Sequence, residues 1–173
     1  MDKQDALLSC LMRYAVKKDR KGCAENNGME EKMNTNIIEK ANKIIKGCEA
    51  AYFGVIDKDG FPSVSTVSPV DPENILAVCF TTNADGNKAK RLQKSNKASI
   101  CFHAGGDNIT LVGEAEIRTD QETKSRYWQD WFIGHYPGGE TDPNYIVIKI
   151  STKRVSLWID NEAAELTLDE LRV

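Results

Sequence analysis

From residue 50 to residue 160 the apolar positions of this chain recur mostly at every second residue, in short runs broken by turn residues. Alternation of that kind puts one face of each run in a core and the other outside, so the chain must fold from hairpin-linked strands. AYFGVID (50–57) ends in a Lys-Asp-Gly turn, and FPSVSTVSP (61–69) follows at hairpin distance. A DPEN turn (71–74) leads into ILAVCFTT (75–82), apolar enough for a central strand. KASICFH (97–103), a GGDN turn and ITLVGEAEIRT (109–119) form the next pair, and YIVIKIS (145–151) and RVSLWID (154–160) close the series. The strand–helix alternation of a doubly wound sheet is missing. The pattern predicts a mainly β fold with flanking helices: a six- to seven-stranded antiparallel barrel, closed or partly closed.

The remaining segments read as helices and connectors. Ala6, Leu7, Leu8, Leu11, Met12, Ala15 and Val16 recur at helical spacing, and a polar stretch follows, so residues 1–34 read as a short amphipathic helix and a linker. The body, 35–162, opens with a helix whose apolar face is Ile37, Ile38, Ala41, Ile44 and Ile45; Asn36 and Glu39 read as its capping box and Gly47 as its stop. Asn87–Lys94 has helical character, and Thr119 and Glu122 suggest a capping box for a helix carrying Tyr127, Trp128, Trp131 and Phe132. The last stretch, 163–173, is an acidic tail that reads as helical, with Thr167 as its cap.

Charge and motif content exclude several classes of function. Lys plus Arg total 23 against 26 Asp plus Glu, a net charge of −3, which is no footprint for nucleic acid. The apolar runs are too short to span a bilayer as a helix, and the first residues lack the order of a secretory signal. Five cysteines, at 10, 23, 48, 79 and 101, are an odd number without metal-knuckle spacing, as expected for free thiols in a reducing cytoplasm. Neither GxGxxG, GxxxxGK[ST] nor GxSxG occurs, and the two histidines, His103 and His135, have no ligand neighbour at helical or hairpin spacing, so no metal site is expected. No side chain announces covalent chemistry; if the protein is an enzyme, a cofactor carries the reaction.

One stretch has chemistry of its own. In TTNADGNKAKRL (81–92) a strand ends in two hydroxyls, a Gly-containing turn follows, and a helix opens with Asn87 and Lys88. From 81 to 99 there are five basic residues against one acid, in a chain that is acidic as a whole. Hydroxyls, backbone N–H groups at a turn and an ammonium suit an anion, above all a phosphate monoester. On spacing alone a solvated basic helix packed by Ala89 and Leu92 explains the same residues.

The segment resembles the FMN-binding split barrels of the pyridoxamine-5'-phosphate-oxidase-like superfamily, in which a hydroxyl-bearing strand leads through a Ser-x-Lys turn to a helix. Lys88 falls at the Lys position, Ser95-Asn96 stands where Asn-Pro is usual, and ASICF (98–102) is the next strand. GFPSVSTV (60–67) resembles the family's second strand. The run YWQDWFIGHYPGGETDPNYIVIKISTKRVSLWID (127–160) is similar to the general-stress-protein branch: a Trp-containing helix, a Gly-Gly-x-x-Asp-Pro loop, and a last strand ending in Trp-Asp. The likeness extends over about 40–160.

The resemblance implies an FMN site at a homodimer interface. Lys88, Asn87, Thr81 and Thr82 would hold the FMN phosphate; Ser65, Thr66 and Val67 would line the ring edge; and Trp128, Trp131 and Trp158 are candidates for the second wall. Two departures stand out. Gly86 replaces the Ser of the turn, and Ser65 or Thr66 replaces a basic residue, so weaker FMN binding than in relatives is expected. The acidic C-terminal stretch does not suit a phosphorylated substrate, which argues against pyridoxamine phosphate oxidation. The implied function is a flavoprotein passing electrons from a small donor, such as a reduced nicotinamide, to a small acceptor. The alternatives are a non-catalytic flavin-binding or redox-sensing stress protein, or a split barrel holding haem or a deazaflavin.

Overall fold

A computed structural model of the protein describes residues 27–172. The amphipathic helix read over residues 6–16 lies outside the described residues. The first element, α1 (Asn27–Gly47), begins well before Asn36, which is therefore an interior helical residue and not a cap. The stretch MEEKM (29–33) had read as linker because it is polar, but Met, Glu and Lys are good helix formers and carry the helix back through it. Ala41 and Ile45, one turn apart, are fully buried, with Ile37, Ile38 and Ile44 packed beside them.

Eight strands follow: β1 (Ala51–Ile56), β2 (Pro62–Val67), β3 (Pro69–Asn74), β4 (Ala77–Asn83), β5 (Lys97–Ala104), β6 (Asp107–Arg118), β7 (Tyr145–Ile159) and β8 (Glu162–Thr167). They form one sheet in the order β2-β1-β5-β6-β7-β4-β3, with β8 also paired to β7, and every pairing is antiparallel. In a flat sheet β1 and β4, four steps apart, would be separated by about 19 Å. The rings of Phe53 on β1 and Phe80 on β4 instead meet at 4.7 Å, so the sheet curls around its own interior as a split barrel. Phe53, Phe80, Ile100, Phe102, Ile109 and Leu111 fill that interior and are fully buried.

Several elements differ from the sequence reading. DPEN belongs to β3, an irregular edge strand whose register shifts between Val70 and Asn74, with Asp71 at φ 42°; the reversal comes at Ile75–Leu76. The two runs at 145–151 and 154–160 are one strand, β7, bent where the register with β6 shifts between Val112 and Gly113 and leaves Lys153 unpaired in that ladder. The backbones press together there: a Cβ on Gly113 would lie 2.0 Å from the Ser151 carbonyl oxygen. Thr152, almost fully buried, donates its hydroxyl to the Ile75 carbonyl at 2.6 Å, and the Ile75 N–H donates to Asn42 Oδ1 on α1 at 2.9 Å.

Two further helix readings are corrected. The 163–173 segment is not a helix: Glu162–Thr167 pairs with β7, and a single 3-10 turn (Glu170–Arg172) follows. Thr167 does start that turn, its N–H and hydroxyl both donating to the Glu170 carboxylate. Helix α3 (Gln121–Arg126) is capped by Asp120, whose carboxylate accepts the Thr123 N–H, and not by Thr119. It stops before Trp128, and Trp131 and Phe132 sit on a separate 3-10 turn, Asp130–Gly134. The remaining helix, α2 (Asn87–Leu92), lies between β4 and β5. No helix among the described residues is long and apolar enough to cross a membrane.

Candidate functional site

The first half of β7 is buried on both faces, which is why YIVI is a continuous apolar run. Ile146, Ile148 and Ile150 face the barrel interior, while Tyr145 and Val147 join a second cluster with Val70, Cys79, Phe132 and Tyr136. The segment 127–144 is thus packed on the outer side of β3, β4 and β7. Its rings meet edge-on or tilted: Trp128 lies 5.3 Å from Tyr145 and 5.7 Å from Phe132, and Tyr136 lies 5.0 Å from Tyr145.

A cavity of about 310 Å³ opens beside this cover. One wall is the β2–β3 junction, Thr66 to Val70, and another is the end of β4, Thr81 to Asn83. Lys88 enters from α2, and Gln129, Trp131, Phe132, His135 and Tyr136 come from the cover. Trp131 is 60% exposed, and its indole N–H is held by Gln129 Oε1 at 2.6 Å. Lys88 has no acidic partner among the described residues. Gly86 caps α2 with no side chain bonded to the first turn. Thr66, Ser68, Thr81 and Thr82 line the same space; by strand alternation the Thr81 side chain lies on the outer face with Val147 and that of Thr82 on the inner face with Ile146. The Lys88 ammonium and the Thr81 hydroxyl form a donor set that fits a phosphate, and the Trp131 wall beside it fits a flat ring.

The turn that leads to Lys88 is fastened from the cover. Tyr136 donates its hydroxyl to Asn83 Oδ1 at 2.9 Å. Asn144 accepts the Ala84 N–H on its carbonyl at 2.9 Å and the Asp85 N–H on Oδ1 at 3.1 Å. Asp142 accepts the Asn144 and Gly138 N–H groups, bonds that hold its carboxyl below the ordinary carboxylate range. Burial raises the Tyr136 phenol, and burial together with Tyr136 and Glu140 pushes Tyr145 up to about 12, so both rings stay neutral donors.

Of the residues singled out in the sequence, Thr66, Val67, Thr81, Thr82, Lys88 and Trp131 border this one cavity. Ser65 is paired with Phe53 and, by strand alternation, lies on the other side of β2 from Thr66. Asn87 is exposed at the start of α2 and does not line the cavity. Trp128 is half-buried and packs against the aromatic cluster, and it does not line the cavity. Trp158 stands at the far end of β7, paired with Asn108 and Ala163, away from the other candidates. Asn83, Gln129, Phe132, His135 and Tyr136 were not anticipated; only the aromatic density of 127–136 hinted at them. His103 is exposed at the end of β5 and does not reach the cavity.

The curled antiparallel sheet defines a split-barrel protein, with the cavity on its outer side. The family model for pyridoxamine 5'-phosphate oxidase like proteins matches residues 36–169, and the chain belongs to that family. Among solved structures it is similar to a Clostridium acetobutylicum protein related to general stress protein 26 of B. subtilis (pyridoxinephosphate oxidase family), at 21% identity and TM-score 0.71, over 79% of this chain and 97% of that one. It is also similar to general stress protein 26 of Bacillus anthracis, at 21% identity and TM-score 0.64, over 76% and 99%. A haem-binding protein of Mycobacterium smegmatis matches at 17% identity and TM-score 0.63, over 78% of this chain and 59% of that one. At these identities the likeness is one of fold. A search of curated proteins finds no match.

Proposed function

We propose that the protein is an FMN-binding flavoprotein that passes electrons from a small donor to a small acceptor. The observation that carries this reading is the convergence of Lys88, without an acidic partner among the described residues, and outward-facing Thr81 with the Trp131 wall in one cavity. Lys88 and the Thr81 hydroxyl would bind the phosphate, and Thr66 and Val67 would border the ring, with Trp131 limiting water access. When bound, the flavin supplies the redox chemistry. A cavity of about 310 Å³ is at the small end for a ligand the size of a flavin mononucleotide and favours a site completed by a second copy of the chain. Exposed Tyr52, Val64 and Phe61 on and beside the outer face of β1–β2, near Thr66, offer apolar surface for that copy. Free thiols at Cys48 and Cys101 suit a reducing cytoplasm.

The test is the visible spectrum of the purified protein titrated with FMN, followed by anaerobic NADPH. Flavin bands that bleach with the nucleotide and return in air support an oxidoreductase. Bound flavin that resists NADPH and other reductants with an acceptor present points to a sensor or carrier, and failure to bind FMN refutes the reading. Lys88→Ala should weaken FMN binding by about 1.5–3 kcal/mol, the worth of a charge-assisted hydrogen bond. His135 at the cavity favours haem as the second reading, because it would supply an axial ligand. A Soret band on haem titration, lost in His135→Ala, would select it.

A further inference from the structure

The Gly-Gly-x-x-Asp-Pro loop, residues 138–143, has no part in the cavity lining, yet it is built to grip the turn that carries Lys88. We propose that Asp142 and Asn144 are positioning residues: they set the 83–86 turn and, through it, the placement of Lys88 for a phosphate. The inference rests on the phosphate-site reading above. Neither residue lines the cavity, so neither would touch the ligand.

The geometry is a two-stage clamp. Asn144 holds two successive N–H groups of the turn, Ala84 on its carbonyl and Asp85 on its side chain. Asp142 fixes Asn144 in turn, accepting its N–H at 2.9 Å on one carboxylate oxygen and the Gly138 N–H at 3.0 Å on the other. Gly138 makes room for this grip, since a Cβ there would lie 3.1 Å from Asp142 Cα, Cβ and Oδ2. The clamp is anchored behind by Lys124, a buried cation whose Nζ donates to the Asp142 carbonyl at 2.8 Å and lies 5.6 Å from the centre of the Tyr145 ring. Within the turn itself the Gly86 N–H donates to the Asn83 carbonyl at 3.1 Å. Without the Asn144 side chain the Asp85 N–H loses its acceptor while Ala84 keeps the main-chain carbonyl of residue 144, so the Asp85–Gly86 backbone loosens and the Lys88 ammonium loses its fixed distance from Thr81.

The test compares FMN with riboflavin, which has the same ring and no phosphate. Full-length wild type, Lys88→Ala, Asn144→Ala, Asp142→Ala and Lys88→Ala/Asn144→Ala are titrated with each flavin by fluorescence, and circular dichroism checks that each is folded. Asn144→Ala is expected to weaken FMN about tenfold while leaving riboflavin within about twofold of wild type. The double variant should bind FMN no more weakly than Lys88→Ala alone, because both changes remove one interaction. A general loss of structure would weaken both flavins, and that result overturns the proposal. So does a double variant in which the two effects simply add. If Asp142→Ala does not fold, Asn144→Ala carries the test alone. If Lys88→Ala leaves FMN affinity unchanged, the phosphate-site reading itself fails; if Lys88→Ala is selective for FMN and Asn144→Ala is not, only the clamp fails.

Discussion

The barrel interior and the outer cover, segment 127–144, sit on opposite faces of the same β7 residues and are held by different physics. The interior is dry and apolar, ordered by alternation along each strand; Phe53, Phe80, Ile100 and Leu111 need no polar bond to find their places. The cover has an apolar heart in Phe132, Tyr136 and Tyr145, but its path is set by side chains bonding to backbone: Asp142 to Asn144 and Gly138, Asn144 to Asp85, Lys124 to Asp142. The functional groups cluster on the second kind of structure. A wall made of directional bonds can place donors to within a fraction of an ångström, and it can also be loosened one bond at a time, whereas the interior fails all at once.

Phe80→Ala should break that interior outright, costing about 3–5 kcal/mol as the ring facing Phe53 is lost, with one cooperative denaturant transition shifted for every probe. Gly113→Ala attacks the bend of β7, where a Cβ would collide with the Ser151 carbonyl; a loss of about 2–3 kcal/mol is expected, and a neutral result in the same denaturation would show that the bend can relax. Thr152→Val, similar in shape, leaves the buried Ile75 carbonyl without its hydroxyl donor and should cost about 1–2 kcal/mol by the same measurement.

The smallest effect should separate the two regions. Asp142 is held low by its two backbone N–H donors, and Asp120 lower still by Thr123 and Arg118, so each stabilises the cover when ionised. A depressed carboxyl gives its full contribution above its unfolded pKa, about 4, and loses it as pH falls further. Acid below about pH 4 should therefore raise hydrogen exchange in 120–144 before it does so in β5 and β6. Simultaneous loosening of both regions would mean that the cover has no independent stability.

How much of this was legible in the sequence follows from the same contrast. β1, β2, β5 and β6 were readable because their alternation survives the turns between them. β3 was hidden by its two prolines and its register shift, which make an irregular edge strand look like a turn. β8, EAAELT, has a composition that favours a helix, and only its pairing with β7 overrides that preference. In the site, Thr81, Thr82 and Lys88 could be found because they lie within one short stretch. Tyr136 and Asn144 could not, because their roles depend on bonds to residues more than 50 positions away, and the 3-10 turn that presents Trp131 has no apolar period to announce it.

The openness of Trp131 also makes the molecule its own optical gauge. Trp128 and Trp158 are half-buried, whereas Trp131 is largely exposed at the cavity, so the Trp131 emission should be the reddest and the most open to iodide. Any molecule that fills the cavity must shield Trp131 first. The loss of the red, quenchable part of the emission would then count bound ligand without a label, whichever ligand it proves to be.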